Sequence, residues 1–360
     1  MIIQPQKAEI MSFKKYFNCL KGLSVLIFLL FFQFVSAQFD FSVLDKKIES
    51  YKVDLGKNVS CIIYKDGKVI YKKQVENFDI KTQAPIASSS QWLTTALILN
   101  LVDAGKLSLD DNVAQYLPIF AKYGKKYITI RHCLTHQTGL EADQGLMKMF
   151  EKNRFESLEA EADAFASKRD IMKNPGEEFR YTNVGINLAA RVAEVVGKRG
   201  FEQLINERIL RPLTMRSTSF NNNGNTPNPS GGAITSAGDY ANFLIMLLNK
   251  GMFNGKQVLS PKSVEEMLTI QVESSKVKNI AKVVDGYSYG LGCFIHEADT
   301  NGKAIVASFP SFYGTLPWID KCRGYVAVII TKDLMGETKK LVFVDLKNTI
   351  DGVIGVESCN

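Results

Sequence analysis

The chain has 360 residues, of which 46% are hydrophobic, and it carries a formal net charge of +7 at pH 7. This length and composition are sufficient for a substantial core, in one large domain or in two closely packed ones. Residues 1–37 contain four lysines and one glutamate, so the rest of the chain carries only +7 minus +3, or +4. Such a mild excess predicts neither nucleic-acid binding nor a polybasic surface for membranes.

The first 37 residues have the pattern of a secretory signal peptide. Lys14, Lys15 and Lys21 precede an apolar run at 23–35, and Ala37 ends a small-residue cleavage motif. The run has roughly 13 residues, whereas a membrane span needs about 20. We therefore expect cleavage after Ala37 and export to the periplasm or the extracellular space. An uncleaved signal is the alternative, and it is the only route by which we expect contact with a membrane.

The segment after the signal predicts a hairpin followed by a buried helix. A short amphipathic helix is expected at 42–52. A turn at 66–67 reads Asp-Gly between runs of β-branched and aromatic residues, which favours a tight hairpin. Apolar residues on most sides of the stretch 90–104 predict a core helix, and Gly105 suits its left-handed C-terminal cap. The serines at 88–90 are expected to cap the first turn of that helix.

The serine run and the stretch after it resemble the nucleophile segment of a known family. Ile86-Ala87-Ser88-Ser89-Ser90-Gln91, followed by an apolar helix and residues 101–111, is similar to this segment in the serine β-lactamase-related family. That family includes class C β-lactamases, D,D-peptidases and related esterases. Its motif is Ser-x-x-Lys, so the resemblance implies that Ser88 is the nucleophile and that Gln91 stands where the catalytic lysine belongs. An amide accepts no proton at any relevant pH, and we expect Gln91 to hydrogen-bond Ser88 and Asn183 instead.

Two further motifs of the same family follow in the predicted helical part. Residues 134–140 resemble its Leu-Thr-His-x-Ser-Gly-Leu segment, where the histidine is structural, so His136 is expected to support the site rather than to act as a base. Residues 175–183 resemble its Pro-Gly-x-x-x-x-Tyr-x-Asn motif. This resemblance implies that Tyr181 is the second catalytic element, acting as base, and that Asn183 positions the reacting groups.

The third motif is altered. A run of strands is expected at about 291–297, 304–309, 316–320 and 325–332, before a closing helix at 339–354. Aligning Gly314 with the later glycine of the family places residues 309–311, Phe-Pro-Ser, where the family has Lys-Thr-Gly or His-x-Gly. No cation stands at that position. Ser311 and Gly314 are the substrate-binding residues that this alignment implies.

The order of elements predicts an α+β fold, in which an antiparallel sheet is flanked by helices and a mostly helical region is inserted. The resemblance covers about residues 43–352 and implies the serine β-lactamase or penicillin-binding-protein-like fold. The sheet region is expected at about 43–105 and 286–352, and the helical region at about 106–285. Only three histidines are present, without H-E-x-x-H or paired C-x-x-C spacing. We therefore expect neither a zinc site nor a cofactor.

Five cysteines remain after cleavage of the signal. A disulfide between Cys293 and Cys322 and isolated buried cysteines are both compatible with the sequence.

Two functional hypotheses follow from the resemblance. The first is an exported serine hydrolase that forms an acyl-serine with an amide or ester substrate, weakly because Gln91 replaces the lysine. The second is a non-catalytic protein of the same fold that binds a peptide or cell-wall fragment. A purely structural role is a third reading. In the first two the partner is a small-molecule or peptide ligand, and the sequence does not predict the oligomeric state.

Overall fold

The computed structural model describes residues 39–141, 155–220, 226–278, 280, 282–311, 313–332 and 340–355. From Phe41 onward the chain forms one compact unit. The expected signal peptide at 1–37 lies outside the described residues. No helix in the described ranges is long and apolar enough to cross a bilayer.

A seven-stranded antiparallel sheet forms the centre of the described structure. The strands are β1 (Val59–Lys65), β2 (Lys68–Val75), β3 (Ala84–Pro85), β4 (Ile234–Thr235), β5 (Met252–Phe253), β6 (Lys256–Gln257), β7 (Ser288–Tyr289), β8 (Phe294–Ala298), β9 (Ala304–Ser308), β10 (Leu316–Asp320) and β11 (Tyr325–Thr331). The sheet order is β2-β1-β11-β10-β9-β8-β7, and two small two-stranded pairs, β3-β4 and β5-β6, lie outside it. Because β1 pairs with β11, the N-terminal hairpin and the C-terminal strands share one sheet.

The segment between these two groups of strands is mainly helical. The helices of the described chain are α1 (Ser42–Ser50), α2 (Ser90–Asp103), α3 (Val113–Tyr116), α4 (Ile119–Lys122), α5 (Ile130–Leu134), α6 (Leu158–Lys168), α7 (Val184–Gly197), α8 (Phe201–Ile205), α9 (Ala237–Leu248), α10 (Pro261–Met267) and α11 (Lys340–Ile354). Helix α7 packs against α2, α5, α6 and α8. This arrangement confirms the expected α+β fold, a sheet flanked by helices with a helical insertion.

The two faces of the sheet are covered by different helices. Helix α9 packs against β1, β10 and β11, and Ile319 of β10 belongs to that main core. The neighbouring Trp318 contacts Phe343 of α11, with 5.6 Å between ring centroids. Successive side chains of a strand point to opposite faces, so α9 and α11 lie on opposite sides of the sheet.

Helix α2 is buried along most of its length. The sequence predicted its C-terminal end correctly but not its N-terminal end. Gly105 adopts the expected left-handed conformation, with φ +63°. The expected serine cap is wrong, because no serine side chain caps the first turn of α2. The hydroxyl of Ser90 instead donates to the Ala87 carbonyl and accepts from the backbone N–H of Ala233. The serine run therefore ties α2 to its neighbours rather than closing its own first turn.

Cys293 is an isolated buried cysteine, as the second of the two alternatives from the sequence had it. Cys61, Cys133 and Cys293 are buried free thiols. The Cys293–Cys322 disulfide is therefore not formed, and this alternative is wrong.

Candidate active site

Ser88 lies in a short 3-10 turn, Ala87–Ser89, that leads directly into α2. Ala87 has φ +43°, a left-handed conformation that costs a residue with a Cβ roughly 1–2 kcal/mol. The turn is held from two sides. The Ser89 hydroxyl donates to the Phe309 carbonyl at 2.6 Å, and the Tyr240 hydroxyl donates to the Ser89 carbonyl at 2.9 Å. These contacts fix Ser88 at the start of the buried helix, with its side chain 6% exposed.

Gln91 lies in the first turn of α2, three residues after Ser88, and both side chains lie beside Tyr181. It is fully buried. Its amide N–H donates to the Tyr181 hydroxyl at 3.2 Å, and its carbonyl oxygen lies 3.1 Å from Nε2 of His136. Gln91 thus uses its two ends on Tyr181 and His136, rather than on Ser88 and Asn183 as expected from the sequence.

His136 supports Gln91 at the carbonyl end of its amide, next to Tyr181. The histidine adopts a left-handed conformation, φ +57°, just after α5 ends. Its Nδ1 accepts a hydrogen bond from the Thr182 backbone N–H at 3.4 Å, and its Nε2 also lies 3.0 Å from the Tyr289 hydroxyl. Burial lowers the pKa of His136 from 6.5 to about 3, so the imidazole is neutral at pH 7. The sequence predicted a supporting role for this residue but not its contact with Gln91.

Tyr181 joins this network to Ser88. Its phenol accepts a hydrogen bond from the amide of Gln91 and lies beside the hydroxyl of Ser88, and both groups lower its pKa. Burial has the larger effect, so the pKa of Tyr181 lies well above its ordinary value. Since the ordinary value is already about 10, the phenol stays protonated at neutral pH.

Asn183 lies at the N-terminal boundary of α7, where its carbonyl accepts from the Asn187 backbone N–H at 3.0 Å. Its side chain is partly exposed and does not cap the helix. The structure therefore brings Ser88, Gln91 and Tyr181 together directly, while Asn183 follows Tyr181 along the chain without a hydrogen bond to Gln91 among the described contacts.

Aromatic rings surround the polar network. His136 lies 4.6 Å from the Tyr181 ring and 5.6 Å from the Phe179 ring, measured between centroids. Phe294 lies 4.9 Å from Tyr289. Sequence reasoning did not predict this cluster of aromatic rings. The one signal in the sequence was the pair Tyr287 and Tyr289 before β8. This pair indicated where the strands begin, but not that Tyr289 contacts His136.

Ser311 and Gly314 lie in the connection between β9 and β10. The backbone N–H of Ser311 donates to the Thr315 carbonyl at 2.8 Å, and that of Gly314 donates to the Ser311 carbonyl at 3.1 Å. Gly314 has φ +76°, which favours glycine in this tight turn. Ser311 is 6% exposed, and its hydroxyl has no hydrogen-bond partner among the described residues.

The arrangement orients Ser88 without supplying a cation. Among the hydrogen bonds and ion pairs of the described residues, none joins a lysine or arginine to Ser88, Gln91 or Tyr181. Arg180, the neighbour of Tyr181, pairs with Glu178 at 3.4 Å. The groups around the Ser88 hydroxyl can therefore accept and donate hydrogen bonds at neutral pH, but none is a ready base.

Comparison with known proteins agrees with this geometry. The sequence profile of the family described as Beta-lactamase matches residues 55–341. Protein flp from Staphylococcus aureus (strain MRSA252) is 30% identical over 177 residues, which cover 46% of this chain and 35% of the relative. Beta-lactamase-like protein 4 from Dictyostelium discoideum is 26% identical over 303 residues, which cover 69% of this chain and 51% of the relative. The chain thus spans about a third to a half of the length of these curated relatives.

A solved structure extends the likeness to nearly the whole described chain. The crystal structure of a candidate beta-lactamase from Bacteroides dorei DSM 17855 superposes with a TM-score of 0.77 and 27% sequence identity. The superposition covers 88% of this chain and 99% of the other.

Proposed function

Because the chain belongs to the Beta-lactamase family, we propose that it is an exported member of this serine hydrolase family that binds a ligand at Ser88 but has lost efficient acyl transfer. The observation that carries the proposal is the pair of hydrogen bonds made by Gln91. Its amide joins Tyr181 and His136 at the position one turn after Ser88. The lysine position of the family motif is thus filled by a neutral group that is already satisfied.

The loss of the amine removes the base at position 91 and the positive charge that would lower the pKa of Tyr181. Ser88 must lose its proton, and a positioned general base contributes roughly 10²- to 10⁴-fold to such a step. Gln91 cannot accept this proton, since an amide has no basic lone pair in this range. The remaining acceptor is Tyr181, whose pKa is raised by burial.

The cost of using Tyr181 as the base can be bounded. A phenol with a pKa of at least 10 is ionised in fewer than about one in a thousand molecules at pH 7, which corresponds to about 4 kcal/mol. A lysine beside the phenol would lower its pKa, and Gln91 carries no charge with which to do so. The hydroxyl of Ser88 is therefore held in place but poorly activated.

A slow hydrolase is the second candidate, and the position of the Ser88 hydroxyl beside the Tyr181 phenol favours it. In that reading Tyr181 removes the Ser88 proton in the small ionised fraction. The rate would then rise about tenfold per pH unit until the phenol titrates. It would be abolished by Tyr181→Phe.

Covalent labelling of the purified mature protein distinguishes these functions. The protein is treated with a fluorophosphonate and with a labelled penicillin, and the adduct on Ser88 is measured by mass spectrometry. We expect negligible labelling of the wild type at pH 7. Robust labelling that disappears in Ser88→Ala would refute the loss of acyl transfer.

Substitution at Gln91 supplies the matched pair for this experiment. Gln91→Lys restores the amine, and we expect labelling to rise by roughly 10²- to 10⁴-fold, with the gain removed by a second change, Ser88→Ala. Gln91→Met has a similar length but cannot accept a proton, so it should label no faster than the wild type. An equal gain in both variants would mean that altered packing, rather than a base, causes it.

Export is tested separately, by expressing the full chain in a bacterium and sequencing the N-terminus of the protein in the periplasm or medium. A mature N-terminus at Gln38 is expected from the cleavage motif ending at Ala37. Retention of the unprocessed chain in the cytoplasm would contradict the exported part of the proposal.

A further inference from the structure

We infer that the site around Ser88 selects an uncharged ester or amide, bound through its carbonyl oxygen, over a ligand that presents a carboxylate. This inference rests on the proposed function, because it names the class of ligand that the same site takes. It follows from the direction of each hydrogen bond in the Ser88 network.

His136 determines which groups donate and which accept in these hydrogen bonds. Its Nδ1 accepts from the Thr182 backbone N–H, so the proton of the neutral ring is on Nε2. The single Nε2 hydrogen is therefore shared between the two oxygens that face it, the Gln91 carbonyl at 3.1 Å and the Tyr289 hydroxyl at 3.0 Å. The Gln91 amide cannot be reversed, because its NH₂ would then face the Nε2 hydrogen.

The orientation of Gln91 decides what Tyr181 and Ser88 present. Since the Gln91 NH₂ group faces Tyr181, the phenol oxygen accepts this bond. The Ser88 hydroxyl lies beside the Tyr181 phenol, and a hydrogen bond between them would use only one of their two hydroxyl hydrogens. Whichever residue is the donor, one hydroxyl hydrogen of the pair is left over. The pair therefore offers a donor to a ligand, and a carbonyl oxygen is the simplest group that accepts it.

A further hydroxyl belongs to the segment that contacts the same turn. The Phe309 carbonyl is held by Ser89, the residue after Ser88, and Ser311 follows two positions later. Ser311 is only 6% exposed, and its hydroxyl oxygen has no partner in the described parts of the chain. A buried hydroxyl without a partner costs free energy, which a ligand oxygen accepting from Ser311 would recover.

The surroundings disfavour an anion. The polar side chains of the network are three hydroxyls, an amide and a neutral imidazole, and the rings of Phe179, Tyr289 and Phe294 pack around them. A carboxylate leaving water for such a site loses its hydration without gaining an ion pair, whereas an uncharged carbonyl loses far less.

The test uses a matched pair of probes, phenylacetamide and phenylacetate, which differ only in an amide or a carboxylate. Their dissociation constants for the purified mature protein at pH 7 are measured by ligand-observed NMR. We expect phenylacetamide to bind at least about tenfold more tightly than phenylacetate. Gln91→Lys introduces an ammonium beside Tyr181 and should reverse this preference, while Gln91→Met, which stays neutral, should still favour the amide.

Two outcomes would overturn the inference. Equal or tighter binding of phenylacetate to the wild type contradicts the selection against charge. It does not affect the proposed loss of acyl transfer, because that loss is measured separately by covalent labelling of Ser88. Binding of neither probe refutes the ligand class and also removes support for a ligand site at Ser88. Thermal melts of each variant establish that a lost affinity is not lost folding.

Discussion

The buried, neutral imidazole of His136 makes the free energy of unfolding depend on pH. A single substitution at this position can separate this contribution from all others. We consider His136→Gln, because a glutamine amide can still donate to Gln91 but does not titrate. The free histidine of the unfolded chain has a pKa near 6.5, while burial lowers the pKa of His136 to about 3 in the folded protein. Between these values the unfolded chain binds a proton that the folded protein does not.

The sign and size of the effect follow from this difference. Where the unfolded state binds more protons, the free energy of unfolding rises with pH. The contribution of His136 is therefore complete above pH 6.5 and is lost as the pH falls towards 3. Each unit of pKa difference is worth about 1.4 kcal/mol, so the whole range corresponds to about 5 kcal/mol. Between pH 6.5 and 4.5 the expected loss is about 2 kcal/mol.

The assay is urea denaturation of wild type and His136→Gln at pH 6.5, 5.5 and 4.5. The substitution also changes packing, but this cost is independent of pH and appears as a constant offset. The wild type should lose about 2 kcal/mol more than the variant between pH 6.5 and 4.5. Parallel curves for the two proteins would refute the reasoning, since they would mean that His136 is not held neutral by burial.

Two other features of the site make testable contributions to stability, measured by equilibrium denaturation. Ser89→Ala removes the buried hydroxyl bond at the start of the β9–β10 connection, and Tyr240→Phe removes the bond to the Ser89 carbonyl. Each should cost about 1–2 kcal/mol, and no change in either would mean that the turn is held by packing alone. Gly292→Ala should cost more than about 3 kcal/mol, because Gly292 has φ +64° and an added Cβ would lie 2.0 Å from the Thr95 hydroxyl of α2. Gly67→Ala is the matched control, with φ +78° and nothing within 4 Å, and should cost only about 1 kcal/mol; equal costs would exclude the clash with α2.

The elements that the sequence predicted well are those specified by neighbouring residues. Asp66-Gly67 forms the tight turn between β1 and β2, where both residues have positive φ. Strand β10 spans Leu316–Asp320, as its apolar pattern and flanking turn residues indicate. Gly105 adopts the left-handed conformation predicted for the end of α2. Turn chemistry, strand alternation and helix caps act over a few residues, so a single sequence carries them.

The serines before α2 show where local reasoning fails. A serine at the start of a helix is ordinarily its cap, but here the hydroxyls of Ser89 and Ser90 bond to partners outside the first turn of the helix. Phe309 lies 220 positions away along the chain. No pattern near residue 89 encodes a carbonyl that only the folded sheet brings into reach.

The sequence by itself determined the fold class and the change at the centre of the site, since an amide stands where the family motif has an amine. It could not determine what the amide does. Gln91 meets Tyr181, which is 90 positions away, and His136, which is 45 positions away, and these distances are closed only by packing α2 against the helical region. Burial then keeps His136 and Tyr181 uncharged. The chemical identity of a residue is local, but its charge and its hydrogen-bond partners depend on which groups the tertiary structure places around it and on how much water it removes.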